Sequence, residues 1–168
     1  MRIGTLSASE SADGVSRSYG YDGFGRTTTT TTRASVEGAP HSAKFSYSYG
    51  PGGRVAEIAY PTANGLSVRV EHEFDQAGYL RKVKDPTSGA AYWTLSAANA
   101  AEQTELEEFG NSASTTRAYN PLTLRPEQIR TQLAATDLVY LDDEWSDNGD
   151  LELRGDRRNP GPLPPPGR

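Results

Sequence analysis

The chain has 168 residues, a net charge of -5 and no cysteine, and 35% of its residues are hydrophobic. Length sets one domain as the prior, but the low apolar content argues against a helix-rich globule with a large core. The charge withholds the footprint of a nucleic-acid binder, and the missing cysteines exclude disulfides and Cys-ligated zinc. The N-terminal "MRIGTLSASESADG" has no apolar h-region and is not a signal peptide. No apolar run approaches a membrane span.

Along the chain, strand signals alternate with turn signals. "YGYDGFGRTTTTTT" couples Tyr21, Asp22, Gly25 and Arg26 to six threonines. Glycine supplies the turn and β-branched residues supply the strand. "YGPGGRV" repeats the pattern with Tyr49, Gly53 and Arg54, and "RVAEIAY" leaves it as a strand. In "LSVRVEHEF", Leu66, Val68, Val70, His72 and Phe74 share one face, with Ser67, Arg69, Glu71 and Glu73 on the other. "FDQAGYL" then gives Phe74, Asp75 and Gly78. "YNPLTLR" gives Tyr119, Asn120 and Arg125, with one extra residue and no closing glycine, and "WSDNGDL" gives Trp145 and Gly149. These five anchors fall roughly 25 to 28 residues apart, with one gap near 45. Strand, tight turn, strand is a β-hairpin.

Two segments carry helical propensity: "SAANAAEQTELEEFG" from Ser96 to Gly110, and "RPEQIRTQLAA", with Pro126 at a plausible first helical position. The period favours strands for both, with a degenerate turn over Asn99 to Gln103 filling the long gap. Residues 1–156 read as one repeat sheet. The proline-dense stretch from Arg157 reads as a disordered or polyproline-like tail, 157–168.

The recurrent Tyr-Asp-x-x-Gly-Arg core resembles the YD repeat, also called the RHS repeat. The resemblance runs from about Gly4 to about Asp156. "YPTANGLSVRVEHEFD", "FGNSASTTRAYNPLT" and "WSDNGDLELR" resemble further elements of that family. It implies an all-β fold of consecutive antiparallel hairpins in a curved or spiralling sheet, an open segment of a β-shell. In the family such shells enclose a toxic domain in bacterial toxin complexes and polymorphic toxins, or belong to teneurin-like surface proteins. The implied function is a non-enzymatic structural segment, secreted or at the cell surface. Its implied partners are further RHS/YD repeats or an enclosed toxin domain. The alternative is a module that binds a glycan on a row of exposed aromatics. The opening "IGTLSASESADGVSRSYGYD" reads as the second half of one unit joined to the next, as in a fragment of a larger protein.

On this reading each aromatic packs against its copy in the next hairpin. Asp bonds the turn, Gly supplies positive φ, and Arg26 and Arg54 reach an adjacent repeat. Gly50, Tyr79 and Ser146 break the pattern, which predicts looser contacts there.

No catalytic, cofactor-binding or metal site is expected. His41 reads as a loop residue and His72 as a strand residue, and no HExxH or CxxC accompanies them. "LDDEWSDNGD" is rich in carboxylates, but the EF-hand frame fails at its twelfth position, Gly155, so it reads as a solvated acidic turn. Asp85-Pro86 resembles the start of the family's self-cleavage motif without the Gly-Leu that follows there, and reads as an ordinary turn.

Overall fold

A computed structural model describes residues 4–159. Thirteen strands are ordered in the sheet as they are in the chain. They fall into two compact units, one running to Tyr79 and taking in Val83–Gly89, the other taking Leu80–Lys82 and continuing from Ala90.

The first unit is built from β1 (Ala8–Glu10), β2 (Ser16–Tyr21), β3 (Thr27–Val36), β4 (Ala39–Tyr49), β5 (Val55–Ala59) and β6 (Arg69–Phe74), each antiparallel to the next. Register follows the alternation of side chains. Thr30 lies between Tyr19 and Phe45, and Thr31 between Ser18 and Lys44. Tyr47, Ile58 and Val70 line up on the face of Tyr19 and Phe45, where the Phe45 and Tyr60 rings meet edge to face at 5.6 Å. The opposite face is polar, with Arg69 on Glu57 and Lys84 on both Glu71 and Glu73. Hydrogen bonding to Glu73 raises the Lys84 ammonium above its ordinary range. Lys84 ends β7 (Leu80–Lys84), whose residues are shared between the two units.

The second unit continues with β8 (Ala91–Ala98), β9 (Thr104–Phe109), β10 (Ala113–Tyr119), β11 (Pro126–Leu133), β12 (Thr136–Trp145) and β13 (Leu151–Asp156). Both helix-prone segments are strands here. β9 carries "TELEEF" between β8 and β10, and β11 carries "PEQIRTQL" between β10 and β12. Pairing on both sides outweighs a local preference of a few tenths of a kcal/mol per residue, about the spread among ordinary residues.

Within each unit the strands touch only their sequence neighbours, so no second layer covers either face. Among the described residues only Ala113, Thr115 and Asp143 are buried, and no large side chain is fully enclosed. Among the described residues there is also no helix long and apolar enough to cross a membrane.

The structure corrects two sequence-based placements. His41 lies in β4, opposite Ala34, rather than in a loop. The two residues Glu37 (φ 51°) and Gly38 (φ 80°) close a tight hairpin, so the strand resumes at Ala39. Two positive φ values mark the turn that matches strand twist. The outermost described strand of the first unit is β1, which pairs with Ser16 to Ser18 of β2. The acidic run is a strand through Trp145, not a turn: Asp142 and Asp143 alternate across β12 and meet Arg157 and Arg154.

The stretch from Arg157 falls partly within the structure. Arg157 N–H donates to the Tyr140 carbonyl at 2.8 Å, and Asn159 N–H to that of Asp156 at 3.1 Å, in a turn after β13. Residues 160–168 lie outside the described part.

Candidate functional site

The recurring element is a turn and its contact with the next turn. In the turn after β2, Asp22 N–H donates to the Arg26 carbonyl at 2.9 Å and Gly25 N–H to the Asp22 carbonyl at 3.1 Å. The same two bonds close the turns starting at Gly50, Asp75, Asn99 and Ser146. The turn at Asn120 holds them with one residue more, from Asn120 N–H to the Arg125 carbonyl and from Leu124 N–H to the Asn120 carbonyl. The backbone demands positive φ at the fourth position: Gly25 (85°), Gly53 (73°), Gly78 (91°), Glu102 (60°) and Gly149 (96°), with Leu124 (58°) in the longer turn. Glycine adopts it without strain, while Glu102 and Leu124 do so at some cost.

The first turn residue bonds the turn from within. Asp22 Oδ1 accepts from Phe24 N–H at 2.8 Å and Arg26 N–H at 3.0 Å, and Oδ2 accepts from Arg26 Nε at 2.6 Å. Asp75 Oδ1 accepts from Tyr79 N–H at 2.9 Å. Asn120 Oδ1 accepts from Leu122 and Thr123 N–H, each at 3.0 Å, and Ser146 Oγ from Asp150 N–H at 3.0 Å. Gly50 offers only its backbone, as its sequence implies.

The turn at Asn99 is a sixth copy that the aromatic anchors alone do not reveal. Asn99 Oδ1 accepts from Ala101 and Gln103 N–H, both at 3.0 Å, as Asp22 Oδ1 accepts from Phe24 and Arg26 N–H three repeats earlier. Glu102 takes the glycine position, Gln103 the arginine position, and Ala98 the aromatic position. The available signal was an Asn followed four residues later by a long polar side chain, midway through the wide gap.

Successive turns are keyed together by the aromatic of one and the arginine of the one before. Tyr49 Oη–H donates to the Thr27 carbonyl at 2.6 Å, Tyr119 Oη–H to that of Thr104 at 3.0 Å, and Trp145 Nε1–H to that of Pro126 at 2.7 Å. Each acceptor is the first residue after the preceding turn's arginine position. Tyr21 Oη–H donates likewise to Leu6, at 2.7 Å. The guanidinium of Arg26 lies 4.4 Å from the Tyr49 ring, that of Arg54 lies 5.8 Å from Phe74, and that of Arg125 lies 5.6 Å from Trp145. Such contacts contribute about 0.5 to 1 kcal/mol at open sites. Gln103 has no charge to stack and instead donates from Nε2 to the Leu124 carbonyl at 2.9 Å. A Cβ on Gly78 would run into the Arg54 guanidinium, and one on Gly149 into that of Arg125. These glycines therefore serve both the turn and the arginine of the previous repeat.

Within each unit no anchor ring rests on another anchor ring. This corrects the expected aromatic-on-aromatic stack: the arginine fills the space between. It also leaves little for a glycan, because the faces of Tyr49, Phe74 and Trp145 already carry guanidinium groups.

Other polar groups have plain structural partners. Asp143, whose side chain is only 1% exposed, takes Arg154 as a fork, with Nε and Nη2 each 2.7 Å from a carboxylate oxygen. Glu107 accepts from Arg117 at 2.6 Å and from Trp93 Nε1 at 2.8 Å. Asp85 Oδ1 accepts from Thr87 and Ser88 N–H at 2.7 and 2.8 Å, as in an ordinary Asx-type turn. Among the described residues no three His, Asp or Glu side chains converge to hold a metal.

The Asp22 turn should register acid. Desolvation raises its pKa, but hydrogen bonds from the Arg26 side chain and from the Arg26 and Phe24 N–H groups outweigh this and hold it below its ordinary 3.8. A carboxylate depressed on folding stabilises the protein above the ordinary carboxylate range. That contribution fades as pH falls through 3.8 and is gone below the depressed value. Asp22→Asn should therefore be less stable than the parent at neutral pH and converge with it once pH falls below the depressed value. A constant difference across that window in urea titrations would remove Asp22 from the acid response.

An antiparallel meander of keyed hairpins defines the class: an all-β fold of repeated hairpins. No family model and no curated protein matches the chain. Solved structures do. The chain is similar to a chain in the crystal structure of TcdB2-TccC3, with a TM-score of 0.69, 16% identity and 86% of this chain covered. It is similar to one in TcdB2-TccC3-Cdc42, at 0.68, 16% and 84%. It is also similar to one in the Tc holotoxin pore of Photorhabdus luminescens, at 0.68, 15% and 85%. In each case it spans about 8% of the matched chain's length. At this identity the likeness is one of fold: the chain folds as a stretch of those toxin-complex chains does, which is the fold the YD/RHS resemblance implies.

Proposed function

We propose that the chain is a non-enzymatic structural segment of an RHS/YD-repeat shell, exported or displayed at the cell surface. Further repeats continue its sheet, and the sheet encloses or presents a toxin or effector domain. Tyr21, Asp22, Gly25, Arg26, Tyr49, Gly53, Arg54, Phe74, Asp75, Gly78, Tyr119, Asn120, Trp145 and Gly149 are its repeat anchors. The observation that carries the reading is the absence of a covered face within either unit. A wall has this property and a self-contained globule does not. Leu66 is 73% exposed, and Val68 and Tyr60, hydrogen-bonded through their backbones beside β5 and β6, also stand open in the first unit. Apolar surface of this kind marks a face meant for contact. The edges are more guarded. β1 is three residues long, and β13 carries Glu152, Arg154 and Asp156. Short and charged edges resist strand addition by the wrong partner.

The purified chain is accordingly expected to bind a hydrophobic dye such as ANS under native conditions and to self-associate reversibly at micromolar concentration. Static light scattering with dye titration measures both. A monodisperse monomer that unfolds cooperatively and binds no dye would mark a domain complete in itself, and the shell reading would fall.

A further inference from the structure

Two aromatic positions of the ladder, Ala98 and Phe74, hold no ring donor, and at Phe74 another side chain stands within reach of the waiting carbonyl. Tyr49, Tyr119 and Trp145 each give a ring O–H or N–H to the carbonyl that follows the preceding turn. Phe74 occupies the same position at the end of β6 and has no polar atom to give. The carbonyl it would serve is that of Val55, the first residue after Arg54. That carbonyl is not abandoned: His72 Nδ1 lies 3.0 Å from it. His72 precedes Phe74 by two residues, so the strand period puts both on one face. Their rings meet edge to face at 6.3 Å and 71°.

We infer that His72 replaces the hydroxyl that Phe74 lacks, and that its Nδ1 carries the proton. A carbonyl oxygen has no hydrogen to donate, so a bond at this distance requires N–H at Nδ1. The anchor's two tasks are thus divided between neighbours. Phe74 keeps the apolar seat for Arg54, and His72 ties the β5 backbone. This also accounts for the histidine that the sequence shows without metal or catalytic company. The inference rests on the anchor reading above and adds a residue that no Tyr-Asp-x-x-Gly-Arg pattern contains.

Two measurements decide it. Nitrogen-15 long-range correlation spectra of the native chain, at a pH where imidazole is neutral, should show His72 with protonated Nδ1 and bare Nε2. The opposite tautomer overturns the assignment. In thermal unfolding, His72→Leu should lower the midpoint by about 2 to 4 °C, the shift of one ordinary hydrogen bond in a domain of this length. Adding Phe74→Tyr to that variant should recover most of the loss. No loss, or no recovery, overturns the proposal. Tyr49→Phe separates the two levels of the argument. If it lowers the midpoint while His72→Leu does not, only the His72 assignment fails. If neither does, the ladder bonds contribute nothing and the anchor reading falls with it.

Discussion

Tyr49→Ala should lower stability by about 2 to 3 kcal/mol. Complete burial sets the upper end for truncating an aromatic, about 3 to 5 kcal/mol. Tyr49 is half-buried, so less apolar area is lost. Its hydroxyl bond to Thr27 and its contact with Arg26 go with the ring. A neutral hydrogen bond is worth about 1 kcal/mol net. Leu122→Ala is the matched control, because Leu122 sits at a turn tip, 92% exposed. It should leave the urea midpoint in place. If Tyr49→Ala also leaves it in place, the aromatic does not anchor the hairpins.

The second large effect is expected at Arg154. Its guanidinium is the fork that balances Asp143, and the Asp143 side chain is almost sealed from water. Breaking such a pair from one side leaves a buried charge without its partner, which costs more than the pair contributes when both groups are present. Arg154 itself is 47% exposed, so solvent enters on that side and softens the loss. Arg154→Met should lower the unfolding midpoint by about 5 to 10 °C. Adding Asp143→Asn should restore part of it by removing the stranded charge. Arg69 and Glu57, an ion pair on the polar face of the first unit, provide the comparison. Their separation by Arg69→Met should have little effect, as for most exposed pairs. Equal losses for Arg154→Met and Arg69→Met would show that the Asp143 pair is an ordinary surface contact.

The sequence also explains why so little of the sheet is buried. Threonine fills most of β3, and charged pairs fill the polar face from β5 to β7. Residues of this kind pair strands well but bury little apolar surface. Stability then depends on cross-strand pairs and on the ladder rather than on a core. The three residues that are buried, Ala113, Thr115 and Asp143, are small or polar. Thr115 is satisfied by a 2.9 Å hydroxyl contact with Thr131 across β10 and β11, as Asp143 is by Arg154.

Local chemistry by itself determined the strands and the turns. A turn that needs positive φ selects glycine, a pleated strand selects β-branched and alternating residues, and both preferences act within a few residues. Tyr21, Tyr49, Phe74, Tyr119 and Trp145 could be aligned for that reason, and the turn at Asn99 could be placed from spacing. Contacts across strands were decided elsewhere. The sequence has Arg26 reach an adjacent repeat; the fold gives it Tyr49 of the next repeat and also Asp22 of its own turn. Pattern alone stacks ring on ring, whereas strand separation and the missing Cβ at Gly78 and Gly149 admit a guanidinium beside the next turn. The strands "TELEEF" and "PEQIRTQL" were legible from the repeat period, but it is pairing on both sides that holds them against their own helical propensity. His72 became intelligible only when Val55, 17 residues earlier, was brought within 3.0 Å of its ring. A hydrogen bond acts over that distance alone, and only the tertiary structure sets it.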